Sequence, residues 1–232
     1  MIKVNDSAEF KRLIGVLSND IVSANIHWRM QSDLRESMTA FPLVRQQSNT
    51  FWHLTLIAHV GAAVSQLCRV FDQQPRSLHL LSWLRTIKEN LHLFSPEEFR
   101  KRLANSAFFD SLAKGGTKPD EVQLDKDIAL CKATDPLVKK LVTFRGISVA
   151  HRSAALAREG AALPANMELS GPEFEELLTR ASTILNRYSR LFSAETYSTL
   201  IVGARDFECI FKTVQTDVEA ARARTEELLR RP

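Results

Sequence analysis

Apolar residues recur every three or four positions along almost the whole chain, and few residues interrupt them. Phe10, Leu13, Leu17, Ile21, Ala24 and Trp28 fall on one helical face. The run from about Pro42 to Phe71 has no breaker except Gly61 and reads as one long helix. "DQQPRS" reads as a loop, followed by a short helix that carries Leu80, Trp83, Leu84 and Ile87. Phe174, Leu177, Leu178, Ala181, Leu185, Tyr188 and Phe192 mark another helix, and Phe207, Ile210, Phe211, Val214 and Val218 mark the last. No segment alternates with period two. Eight Gly and eight Pro in 232 residues are few for a turn-rich β fold. The periodicity predicts an all-α bundle of long helices.

Helix starts carry their own chemistry. In "SPEEF", Ser95 is placed to cap, Pro96 takes the first helical position and Glu98 completes a capping box. "SGPEFEELL" repeats this with Ser170 and Glu173, and "TDPLVKKLV" offers Asp135 as cap before Pro136. "AKGGTKPDE" and "REGAALPANMELSG" are breaks. The expected organisation is a single all-α domain over 1–232. It has an N-terminal helix at 7–36 and C-terminal helices at 170–230.

The net charge of +4 permits a polyanionic partner without demanding one. Cys68, Cys131 and Cys209 are isolated, with no CxxC or Cys/His ligand spacing, and read as buried reduced thiols. The N-terminus "MIKVNDSAEFKRL" has no apolar signal-peptide stretch, and "LTLIAHVGAAV" is too short to span a bilayer. The expectation is a cytoplasmic protein with no membrane partner.

One window stands apart. From Pro136 through Arg158 there is no acidic residue, while Lys139, Lys140, Arg145, Arg152 and Arg158 are all basic. Such a window reads either as a positive surface for a phosphate-bearing partner or as a helix face paired with acids from elsewhere. Inside it, "RGISVAH" sets Arg145 six residues before His151. On a straight helix that spacing separates the two by about 240°. They converge if the helix changes at Gly146, a poor helix former, or across a two-fold axis between protomers.

An arginine, a short spacer and a histidine late in an all-α chain resembles the HEPN superfamily. The flanking "LVTFRGISVAHR" resembles its prokaryotic abortive-infection (AbiU-like) branch. "FWHLTLIAHVGAAVSQLCRVFDQ" and "SLHLLSWLRTIKEN" look like that branch's first half, so the resemblance covers about Phe41 to Arg158. It implies a metal-independent endoribonuclease with no cofactor, acting as a homodimer on RNA (tRNA or mRNA). It also implies a toxin or phage-defence role, with an antitoxin or other partner protein. The RNA's own 2′-hydroxyl would attack the adjacent phosphate. Arg145 would clamp the phosphate and His151 would move the proton, a division of labour that suits an always-charged guanidinium and a group titrating near neutrality. Arg152, Lys139 and Lys140 would hold neighbouring phosphates. Asp72 is a candidate to orient His151. Gly146 departs from the pattern, because catalytic members often carry Asn, Asp or His after the arginine. The alternatives are therefore a catalytically silent HEPN module that binds RNA or a nucleotide, and a helical interaction protein whose Arg/His pair is structural.

Other residues read more plainly. Arg85 and His92 also satisfy the motif's spacing but share their segment with Glu89. His53 and His59 lie among apolar neighbours and read as satisfied histidines at the edge of the core. Arg69 and Asp72 are one turn apart and read as an i,i+3 ion pair.

Overall fold

The computed structural model describes residues 2–104, 112, 118–146, 158, 169–200, 203 and 205–231. Among these the chain is all-α, with no strand. In order the helices are α1 (Ser7–Ala40), α2 (Pro42–Gln47), α3 (Asn49–Val70), α4 (Leu80–Glu89), a 3₁₀ turn (Leu91–Phe94), α5 (Pro96–Leu103), α6 (Glu121–Leu130), α7 (Pro136–Phe144), α8 (Gly171–Ser193) and α9 (Glu208–Arg230). The chain divides into two compact units. One comprises Met1–Ala24 and Ser65–Ser198, the other Asn25–Val64 and Thr199–Pro232.

The first unit is built on an aromatic cluster. Phe10 lies 4.8 Å from Phe192, 5.6 Å from Phe94 and 6.2 Å from Trp83, ring centre to ring centre. Phe10, Ile14, Leu17, Ile21 and Ala24 are buried at i, i+4, i+7, i+11 and i+14, the spacing of a single stripe. Leu13, expected on that face, is only half-buried and Ile14 takes its place. From α8, Phe174, Leu177, Leu178, Ala181, Ile184, Leu185, Tyr188 and Phe192 are buried. Burying one such side chain contributes about 1.5–3 kcal/mol, so this cluster carries much of the unit's stability. Arg102 ties its edge together. It donates to the Phe192 and Leu93 carbonyls and to the Ser7 hydroxyl, and its guanidinium lies 3.9 Å from the Phe192 ring centre.

The second unit centres on Phe211. Leu34, Met38 and Val44 are buried with it, and Phe41, Trp52, Leu56 and Phe207 pack around them. The Trp52 and Phe207 rings meet Phe211 edge-on at 4.9 and 5.3 Å, a favoured aromatic geometry. Ile210, expected on the buried face of α9, is exposed instead.

Three local expectations are corrected. The run from Pro42 is two helices, broken at Ser48, whose carbonyl accepts from the Trp52 amide and so starts α3 afresh. "SNT" supplied that signal, because Ser and Asn bond their own backbone and favour caps over helix interiors. Ser95 caps α5 as expected, but the Glu98 side chain turns to Lys101 instead of closing a capping box. Cys68 and Cys131 are buried, whereas Cys209 is exposed. The caps at Asp135 and Ser170 form as read, the latter as a full capping box with Glu173.

The 22-residue α3 is long and apolar enough, by length and composition alone, to cross a bilayer. This exceeds the short apolar run read from sequence. Its last turns bury Ala63, Leu67, Cys68 and Val70 within protein, while Phe51, Leu54 and Ile57 are exposed.

Candidate functional site

Arg145 stands at the end of α7. Asp135 fixes the helix start by accepting from the Leu137 and Val138 amides, and Pro136 supplies the pre-set first residue. Val138 and Leu141 bury one face of the helix. At Arg145 and Gly146 the backbone widens from α to π-helical. The helix thus changes at Gly146, where the sequence allowed a change. Single π turns occur often at functional sites. His151 and Arg152 lie outside the described residues.

The Arg145 guanidinium donates to Asp72 Oδ1 at 2.6 Å. Asp72 sits in the loop that follows α3, and the same oxygen accepts from the Gln73 amide at 2.8 Å and the Gln74 amide at 3.4 Å. Burial works to raise the Asp72 carboxyl. The bond from Arg145 and the two backbone amides outweigh it, and the group is held below the usual carboxylate range. Its side chain is 14% exposed and that of Arg145 is 37% exposed, so the arginine is anchored on one side and open to solvent on another. Cys68, one turn before the loop, feels both charges, and burial pushes its thiol up to about 11. The reading of Arg69 with Asp72 as an ion pair is corrected: Arg69 pairs with Asp20 on α1 at 2.6 Å, leaving Asp72 to Arg145.

The basic window is less positive than its sequence. Lys140 is bound to both oxygens of Glu173 on α8, at 2.7 and 2.8 Å. Those bonds, with the Ser170 cap, hold the Glu173 carboxyl down to about 2. Arg145 is matched by Asp72. Two of the window's cations thus have acids from elsewhere in the first unit. Lys139 and Arg158 are exposed, and neither forms an ion pair among the described residues.

The histidines divide. His79 is buried and caps α4, accepting from the Ser82 amide, and burial holds its imidazole below the ordinary value. His59 is half-buried, its Nδ1 2.9 Å from His27 Nδ1, and burial with the neighbouring His27 lowers it. His53 is exposed rather than at the edge of the core. No sequence signal marked the His27 partnership, because the two residues lie 32 positions apart on different helices.

Against this geometry, the AbiU2 family model (HEPN_AbiU2) matches residues 7–208. The match contains Asp72, Arg145 and the whole "RGISVAH" segment, and extends the resemblance from 41–158 to include α1 and α8. Nothing matches among curated proteins, and nothing matches among solved structures. A match over most of the chain, on an all-α fold, settles the relationship: this chain belongs to the AbiU2 family of the HEPN superfamily.

Proposed function

We propose that the protein is a metal-independent endoribonuclease of a toxin or phage-defence system. The observation that carries this reading is Arg145, anchored by the ionised Asp72, half-open to solvent at a π turn, within a family match that spans the motif. A phosphate clamp needs a permanent cation held in one orientation, and one bond to Asp72 leaves the guanidinium further donors for a phosphodiester. His151 removes the 2′-hydroxyl proton as that oxygen attacks phosphorus, and a proton is returned to the departing 5′-oxygen. Arg145 stabilises the charge that develops on the phosphorane. Lys139 and Arg152 extend the contact to flanking phosphates, and Lys140 is assigned to bracing α7 against α8 through Glu173. The reading places two protomers around one RNA, in the cytoplasm, with cleavage held in check by a partner.

The test is cleavage of a labelled RNA by the full chain in EDTA. His151→Ala should lower the rate about 10²- to 10⁴-fold with the helical spectrum unchanged. Arg145→Lys should be nearly as damaging, because an ammonium lacks the bidentate fork. The double variant Arg85→Ala/His92→Ala should cleave like wild type. Full activity in His151→Ala would sink the assignment. If wild type binds RNA without cutting it, the silent binding module is the better reading.

A further inference from the structure

In the second unit α1 and α3 each bring one histidine to a shared point of contact. His27 Nδ1 and His59 Nδ1 face each other at 2.9 Å, with ring centres 5.1 Å apart and ring planes inclined at 46°. Both residues are half-buried. The contact is a hydrogen bond when one Nδ1 keeps its proton and the other offers its lone pair. As a purely structural device such a pair is costly. Burial and the neighbouring His27 both disfavour a charged His59, and among the described residues no carboxylate offsets them. A ligand that uses both lone pairs would turn the cost into a gain.

The geometry fits two ligands of one metal ion. Imidazole suits zinc, copper and nickel. A tetrahedral ion with metal–nitrogen bonds of about 2.0–2.1 Å sets two imidazole nitrogens about 3.3 Å apart and their ring centres about 5.2 Å apart. The ring centres of His27 and His59 already have that separation. The rings need only turn, opening the nitrogens by about 0.4 Å, for both lone pairs to aim at one point. Each ring then carries its proton on Nε2, so no proton is lost. Among the described residues no group of three or more His, Cys, Asp or Glu comes together, so the chain supplies two ligands here. Half-burial lets water take the remaining positions, as in open metal sites. His53 is exposed, and six residues before His59 it points about 240° away round α3.

We propose that His27 and His59 form a binding site for a divalent transition-metal ion, which ties α1 to α3 in the second unit. The ion takes no part in the cleavage proposed above, and the site does not rest on that reading. With only two ligands from the chain, the ion is taken up and released as its free concentration changes. The stability of the second unit follows that concentration.

The experiment uses the full chain without an affinity tag, stripped with EDTA and dialysed. Calorimetry measures binding of ZnCl2, and thermal melting is followed with and without the ion. Zinc should bind, and saturating zinc should raise the melting temperature by several degrees. His27→Gln and His59→Gln should each weaken binding about 100-fold, because a single imidazole loses the chelate, and each should abolish the rise in melting temperature. His53→Gln, which removes an exposed histidine of the same helix, should bind as wild type does. Wild type loaded with one equivalent of CuCl2 should give an electron paramagnetic resonance spectrum split by two nitrogens. Three outcomes overturn the proposal: no zinc binds at submillimolar concentration, either glutamine variant at His27 or His59 binds as wild type does, or His53→Gln loses binding as fully as they do. Should a variant fail to melt cooperatively without metal, the wild-type copper spectrum decides. Two nitrogens support the site, and one or none overturns it.

Discussion

Arg145 in the first unit is half-buried and Arg45 in the second is exposed; among the described residues each is held by a neighbouring side chain, yet the neighbours differ in charge. Asp72 fixes Arg145 and neutralises it. Asn49 orients Arg45 and leaves its charge whole. The difference decides what each can do. A neutralised guanidinium is a directional donor whose attraction for an anion is local and short in range. An uncompensated one also contributes to the field that draws anions in. Arg187 is the limiting case: its partner Asp127 is 2% exposed and also accepts from Tyr188 at 2.7 Å and Gln123 at 3.0 Å. There the pair belongs to the architecture.

The largest effect should come from that limiting case. Asp127→Ala leaves the Tyr188 hydroxyl, the Gln123 amide and the Arg187 guanidinium without their acceptor in a buried setting. The expected loss is about 3–5 kcal/mol in urea unfolding. A loss below about 1 kcal/mol would show that Asp127 is no more structural than Asp72, and the ranking of the arginines by the burial of their partner would fail.

Exchanging the two kinds of partner sharpens the comparison. Asp72→Asn makes Arg145 amide-held. RNA affinity should rise about threefold as the local charge becomes more positive, while turnover falls about tenfold because the guanidinium is less firmly fixed. Asn49→Asp makes Arg45 carboxylate-held, and its charge is then compensated as that of Arg145 is. Stability should not suffer, since Asp is favourable at the start of α3. Unchanged RNA affinity in Asp72→Asn would mean that partner charge does not tune Arg145.

A smaller effect separates the units by pH. His59 titrates below its ordinary value of 6.5 because burial and His27 disfavour the charged form. As pH falls below about 6.5, the unfolded chain takes up a proton that the folded chain refuses, so stability drops. His79 in the first unit is shifted in the same direction by burial and adds to the slope. The lowered carboxylates Asp72 and Glu173 act only at lower pH. Melting temperatures between pH 7 and 5.5 should therefore decline, and His59→Leu should flatten part of the decline. An identical slope in His59→Leu would assign it to His79 instead.

Much of the fold was legible because helical periodicity and caps are local. Asp135, Ser170 and Glu173 were readable within four residues of the groups they satisfy. The break at Ser48 was readable too, from Ser and Asn in succession, but an unbroken apolar pattern overrode it. The site was half legible. Arg145 and Asp72 were each marked, yet their bond was not, since 73 positions separate them and Arg69 offered a nearer partner. Folding gave Arg69 to Asp20. The amide-held Arg45 was legible in principle, with Asn49 at i,i+4. Amide–arginine pairs draw less attention than a run of cations without acids, and that run proved partly neutralised by Asp72 and Glu173.

The smallest effect concerns Gly146, beside Arg145 in the π turn. Among the described residues a side chain there would meet nothing within 4 Å, so they leave space for more than glycine. Gly146→Asn replaces the residue with the largest backbone entropy by a better helix former, and stability should rise by a few tenths of a kcal/mol, roughly the difference in helix propensity. The amide also supplies the polar group that catalytic members of the superfamily often carry after the arginine. Placed next to Arg145, it would add to the orientation that Asp72 supplies, and on the proposed cleavage reading the rate should rise about two- to threefold. A gain in stability without a gain in rate would show that Asp72 already orients Arg145 fully. A loss of both would show that the π turn itself depends on glycine, and that the widening at Arg145 is a condition for the site.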